Sequence, residues 1–358
     1  MRPLSRLCAA TVTALTVTAL SIPLGLAETA QAAPTPAAPT RAAIAPATVT
    51  PVDGSLKAYH ISGVYVGGVS SGGYLATQLQ VAYSGRIRGA AIFAAGPYYC
   101  AQNNASQAVY GCGENIWPDG LPTLEADASL WSAYRWIDPI GNLSGQPVYV
   151  YHGTADSTVA GSLTSDLAGF YRHFGANVQY VTGPSGHSWV TPYGPLGCTA
   201  TGSPYLDNCG TDAENQFLTK LFGSVAAPNP GALTGTLTRF NQNGYAVGGN
   251  AARLSMGSKA FAYVPSSCAA GATCRLMVAL HGCAQGYDAV GTAFVDDANL
   301  DQYADTNAMI VLYPQATASV VNPYGCWDWW GYLGATNYPI HGGAQLESVM
   351  AEVRALGG

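Results

Sequence analysis

The sequence predicts an α/β fold with a mostly parallel central sheet and helices on both faces. Three observations carry this expectation. Apolar runs of strand length alternate with stretches of helical spacing, the pattern of parallel strands joined by helical crossovers. An apolar run, a sharp glycine turn and a helical stretch meet at Gly68-Val69-Ser70-Ser71-Gly72. The region after residue 235 holds enough elements for only half a sheet, so it must complete the half that precedes it.

Taken in order, residues 1–32 have the layout of a secretory leader. Arg2 and Arg6 precede an apolar run over 7–26, and Ala30-Gln31-Ala32 is a small-residue cleavage site. Export is therefore expected, with no membrane association once the leader is gone. Residues 33–51 are Ala, Pro and Thr with a single charge, a composition that cannot bury a core and suits a tether. One domain is expected over 52–358, a size that supports a large core. Its strands are expected at 64–68, 89–96, 147–151, 178–181, 259–264, 275–280 and 309–313, and its helices at 74–82, 163–174, 213–222, 293–306 and 343–355. Ala-Pro-Asn-Pro-Gly within 223–235 reads as a linker.

Only 9% of the 358 residues are charged and the net charge is −6, so a nucleic-acid or other polyanionic partner is not expected. Such a surface is common in exported proteins and also suits adsorption to an uncharged solid; composition alone favours the former. Beyond Cys8 in the leader, the cysteines are Cys100, Cys112, Cys198, Cys209, Cys268, Cys274, Cys283 and Cys326, an even set that behind a leader implies disulfides. Three pairs are close in sequence (100/112, 198/209 and 268/274), which leaves 283 with 326, although sequence leaves every pairing open. No Cys-x-x-Cys or His-Glu-x-x-His occurs, and neither a metal nor another cofactor is expected.

A serine hydroxyl becomes nucleophilic when an imidazole accepts its proton and a carboxylate holds that imidazole. Ser70 has glycine two residues away on both sides, the frame of a nucleophile elbow; its rival Ser71 does not. Asp156 follows the strand 147–151 in His-Gly-Thr-Ala-Asp, with Asp166 and Asp138 as weaker choices. His187 lies in the loop Gly183-Pro184-Ser185-Gly186-His187-Ser188-Trp189. It is preferred over His60, His152, His173, His281 and His341. His173 falls in a helical stretch, and His152 and His281 abut glycine at strand ends, where a structural role is expected. Ser70, Asp156 and His187 give the chain order of α/β-hydrolases.

In those enzymes an oxyanion donor comes from a strand that precedes the serine. Here the matching turn, Leu280-His281-Gly282-Cys283-Ala284-Gln285, follows the triad. Circular permutation accounts for this: the first half of the sheet has moved to the C-terminal end, and the join falls near 223–235. Gly68-Val69-Ser70-Ser71-Gly72-Gly73, Leu280-His281-Gly282-Cys283, Val311-Leu312-Tyr313-Pro314-Gln315 and Cys326-Trp327-Asp328-Trp329-Trp330 together resemble the esterase family of extracellular poly(3-hydroxybutyrate) depolymerases, in particular its single-domain, circularly permuted type. The resemblance spans nearly all of the chain after the tether. It implies a permuted α/β-hydrolase fold and Ser70, Asp156 and His187 as the triad. It further implies an oxyanion hole from the N–H groups of Ser71 and Cys283, a Cys283–Cys326 disulfide, and polymer binding by Trp327, Trp329 or Trp330. The expected partner is an insoluble aliphatic polyester and its oligomers, met by a monomer. Competing expectations are a carbohydrate esterase of feruloyl or acetylxylan type, and a polymer-binding protein without catalysis.

Overall fold

The computed structural model describes residues 45–358 except residue 119. The expected leader and residues 33–44 of the expected tether lie outside the described residues. Residues 45–51 have no regular structure, yet Val49 packs on the apolar core and the Ala47 carbonyl accepts a hydrogen bond from Gln302.

In chain order the strands are β1 (Val52–Gly54), β2 (Ile61–Val69), β3 (Ile87–Phe93), β4 (Pro147–Gly153), β5 (Asn177–Gly183), β6 (Trp189–Val190), β7 (Leu196–Gly197), β8 (Leu206–Asn208), β9 (Thr236–Asn241), β10 (Lys259–Val264), β11 (Cys274–Leu280) and β12 (Met309–Tyr313). Nine of them form one sheet in the order β1-β9-β10-β12-β11-β2-β3-β4-β5. Only β10 runs antiparallel to its neighbours. A start moved to β9 yields a simple path: β9, antiparallel β10, a crossover that places β11 beyond β12, then β2, β3, β4 and β5 side by side. The two halves of the chain thus share one sheet, joined where β11 pairs with β2 from Cys274 opposite Ile61 to Leu280 opposite Gly68. This is the permuted α/β arrangement the sequence predicts.

The inner strands β3, β4, β10, β11 and β12 are largely buried and mostly apolar because both faces are covered. Helices Ser71–Ala82, Gly161–His173 and Ala344–Ala355 pack Leu75, Leu79, Leu167, Phe170, Val349 and Val353 on one face. Helices Ala213–Phe222 and Leu300–Asn307 pack Phe217, Leu218, Leu300 and Tyr303 on the other. The C-terminal helix ends beside the entry to β2, where the Tyr59 N–H bonds to the Leu356 carbonyl at 2.9 Å. Residues 223–235 run along helix Leu300–Asn307, where Asp305 accepts hydrogen bonds from Asn229 and Thr234.

Several elements depart from expectation, among them β1 and β9, which have no apolar run to mark them and extend the sheet beyond β10. The helix expected over 293–306 is two helices, Ala293–Asp297 and Leu300–Asn307, separated where Asn299 adopts φ 57°. A helix at Leu121–Ala133 had no clear apolar stripe to announce it and buries only Leu124 and Ala128. A second sheet, β6-β8-β7, is made of strands too short to carry a period-two pattern.

Candidate active site

Ser70 stands at the end of β2 with φ 56° and ψ −124°, a conformation that L-residues rarely adopt and that nucleophile elbows require. Helix Ser71–Ala82 begins at the next residue, and the Ser70 N–H is tied to the Phe93 carbonyl at 3.0 Å. The turn is possible because its neighbours lack side chains. A Cβ at Gly68 would strike the Gly72 backbone, and one at Gly72 would strike the carbonyls of Leu280 and His281. The helix N-terminus therefore sits directly against the end of β11.

Asp156 lies in the loop after β4. Its Oδ1 accepts the N–H groups of Thr158 and Val159 at 2.8 and 3.0 Å, and its Oδ2 meets His187 Nδ1 at 2.8 Å. Burial pushes the carboxyl up, but the hydrogen bond and charge of His187, aided by the two N–H donors, hold it below the usual carboxylate range. His187 is itself buried, and its backbone N–H donates to Thr201 Oγ1 at 3.0 Å. Ser70, His187, Gly282 and Cys283 line a single cavity of about 280 Å³, whose remaining wall includes Thr158, Tyr205 and Tyr324. The structure thus brings Ser70, Asp156, His187 and Cys283 to one place, with Ser71 at the adjoining helix start.

His281 has a different task. Its Nε2 accepts the Ala316 N–H at 3.0 Å, which leaves Nδ1 protonated to donate to the Gly282 carbonyl at 2.7 Å. Burial pushes its pKa down to about 4, so it remains neutral and braces the turn that presents Cys283. The Gly282 N–H donates to Gln285 Oε1 at 2.6 Å. Cys283 is bonded to Cys326, and the other bridges are Cys100–Cys112, Cys198–Cys209 and Cys268–Cys274. Of the remaining histidines, His173 pairs with Glu125 and His341 with the Ala82 carbonyl, both away from Ser70. Among the described residues no group of three or more His, Cys, Asp or Glu side chains is arranged to hold a metal.

Within the tryptophan cluster, Trp327 departs from expectation, whereas Trp329 and Trp330 are half-buried. Trp327 is fully buried and its Nε1 donates to the His281 carbonyl at 3.0 Å, so it supports the Cys283 turn from within the core and cannot touch a polymer. Trp329 stacks on Tyr74 with ring centroids 4.1 Å apart, and Trp330 packs against Tyr332. Neither lines the Ser70 cavity; its aromatic wall is Tyr205 and Tyr324. Sequence reasoning had no signal for these two tyrosines, since both lie in loops whose course depends on distant partners: Gln285 holds the Tyr205 carbonyl, and the Ala284 N–H holds that of Tyr324.

No family model matches the chain. It is 37% identical over 323 residues to the polyhydroxybutyrate depolymerase of Talaromyces funiculosus, a match covering 84% of this chain and 92% of that protein. It is 37% identical over 297 residues to the poly(3-hydroxybutyrate) depolymerase of Delftia acidovorans, covering 80% of this chain and 58% of that protein. Among solved structures, PHB depolymerase from Penicillium funiculosum superposes with a TM-score of 0.76 at 34% identity, covering 85% of this chain and 98% of that one. A serine-to-alanine variant of PHB depolymerase complexed with an R3HB trimer superposes with a TM-score of 0.77 at the same identity and coverage. An elbow serine, an aspartate–histidine pair and a cysteine-bearing turn have thus been assembled on a permuted sheet shared with these enzymes, and the chain belongs to the poly(3-hydroxybutyrate) depolymerase family.

Proposed function

We propose that this protein is an exported, monomeric serine esterase that hydrolyses the ester bonds of poly(3-hydroxybutyrate). One observation carries the reading: Ser70, on its strained turn, shares an uncharged cavity with a His187 imidazole already oriented by Asp156. Ser70 Oγ attacks an ester carbonyl as His187 Nε2 takes its proton, and Asp156 stabilises the resulting imidazolium. The carbonyl oxygen gathers negative charge, which the N–H groups of Ser71 and Cys283 accept as hydrogen-bond donors. His187 returns the proton to the departing alkoxide, releasing a hydroxyl-ended chain. Water then attacks the acyl-enzyme with His187 again as base, releasing a carboxylic acid and restoring Ser70.

The surroundings fit an insoluble, uncharged substrate. Val320, Val321 and Tyr324 are exposed in the segment that the Cys283–Cys326 bridge anchors, and Tyr324 lines the cavity. Val109, Ile116 and Trp117 are exposed in a second segment, whose Gly113 carbonyl accepts the Ala160 N–H. Singly exposed apolar residues are ordinary, but an apolar group that reaches the cavity through Tyr324 suits contact with an apolar solid. Export would rest on the leader at 1–32; no helix among the described residues is long and apolar enough to cross a membrane.

Clearing of a turbid poly(3-hydroxybutyrate) suspension tests the reading. Wild type should clear it, and Ser70→Ala should lose activity by on the order of 10⁴-fold or more. A folded wild type that cleaves a soluble short-chain ester but leaves the suspension turbid would refute the polymer assignment.

A further inference from the structure

A second carboxylate is buried behind the histidine loop, and the proposed chemistry makes no use of it. Asp207 lies on β8, in register with Val190 of β6 and Leu196 of β7, on the small sheet that the Cys198–Cys209 bridge closes. It is fully buried, and no Lys or Arg salt bridge to it occurs among the described residues. Its Oδ2 accepts the Gly186 N–H at 3.2 Å, an N–H shared with the Cys198 carbonyl at 2.9 Å. Its Oδ1 and the Ser188 hydroxyl are both buried near one another, and neither has a hydrogen-bond partner. Asp207 thus holds the residue before His187 and lies beside the residue after it.

An isolated buried carboxylate is costly, and a compensating positive charge offsets that cost. The positive charge nearest this one forms on His187 each time Ser70 gives up its proton. Burial raises the Asp207 carboxyl above its ordinary value, and Ser188, Gly186 and the His187 charge offset only part of that rise. The other titratable groups at hand are Asp156 and His152, which face His187, and Tyr151, which faces Asp207 and bonds through its hydroxyl to Ser185 at 3.2 Å.

We propose that Asp207 is a positioning residue for ester hydrolysis: from beneath the loop it fixes His187 through Gly186 and supplies a second negative charge to the imidazolium. This rests on the reading of His187 as the base acting on Ser70. Removing a negative neighbour lowers an imidazole pKa, whereas loss of a purely structural anchor leaves it in place.

The test is an NMR titration of His187 in Ser70→Ala protein with and without Asp207→Asn, the signal being identified by its loss in His187→Gln. The His187 pKa should fall by about half a unit or more in the Asn variant. In protein with Ser70 intact, the acid limb of kcat/KM on a soluble ester should move to lower pH by the same amount, with kcat reduced about tenfold. If Asp207→Asn does not fold, Asp207→Ser, which keeps an acceptor in a smaller side chain, gives the same readout. A folded neutral variant whose His187 pKa and acid limb match the parent overturns the proposal. Absence of ester hydrolysis by wild type would instead overturn the functional reading, while the titration would still report on Asp207.

Discussion

The nucleophile side and the histidine side of the site are built differently. Ser70 and Cys283 stand at the ends of β2 and β11, adjacent parallel strands in the middle of the large sheet, and their positions follow from buried backbone in close contact. Asp156 and His187 stand on loops after β4 and β5, toward the sheet edge, and the His187 loop further donates hydrogen bonds to Asp207 on β8 and to Thr201 in the connection between β7 and β8. The nucleophile side is positioned by packing, which tolerates no added atom. The histidine side is positioned by polar contacts and a cross-link, each removable at moderate cost. The proposed chemistry needs both, because a displaced imidazole and a displaced serine would each end proton transfer.

The comparison can be broken most severely at Gly72. Gly72→Val would drive side-chain atoms into the Leu280 and His281 carbonyls, and should destabilise the fold by about 3 kcal/mol in urea unfolding while abolishing esterase activity. On the histidine side, Cys198→Ser with Cys209→Ser opens a bridge spanning 11 residues and should cost about 2–3 kcal/mol. Steady-state kinetics on a soluble ester should then show a lower kcat together with a higher KM, since the bridged loop carries Tyr205 and Thr201 of the cavity wall and the Thr201 hydroxyl that accepts the His187 N–H. An unchanged KM would mean that Tyr205 is held by Gln285 without help from the bridge.

Smaller effects sharpen the contrast. Val320→Ser with Val321→Ser should slow polymer clearing several-fold and leave soluble-ester kinetics unchanged, as neither residue lines the Ser70 cavity. Glu352, on the C-terminal helix backing the nucleophile side, is fully buried with no partner for either carboxylate oxygen, and burial raises its pKa well above the usual value. A carboxyl raised in the folded state contributes most stability below its unfolded pKa and loses it as pH rises. Glu352→Gln should therefore raise the thermal midpoint at pH 8 relative to wild type and yield no such gain at pH 4. A gain of equal size at both values would trace the effect to packing and not to ionisation.

Local chemistry determined much of this protein in advance. Glycines two residues either side of Ser70, between an apolar run and a helical stretch, specify an elbow whatever the rest of the chain does, because the constraint is steric and acts within five residues. The inner strands of the large sheet were legible because burial on both faces makes them continuous apolar runs, whereas β1 and β9, with exposed polar residues, were not. The order Ser70, Asp156, His187, with Cys283 after all three, forced the permuted connection. What only the tertiary structure decided depends on partners far away in the chain. Trp327, Trp329 and Trp330 sit side by side in sequence, yet Trp327 is captured by the His281 carbonyl and Trp329 by the Tyr74 ring, so none of them walls the cavity. Tyr205 and Tyr324 reach it through backbone bonds to Gln285 and Ala284. Asp207 carries no signal in the sequence and becomes a buried carboxylate behind the His187 loop only when β8 lies beside β6. Period and sterics are local properties that a chain carries with it, whereas the burial of a particular polar or aromatic side chain belongs to the surface that covers it.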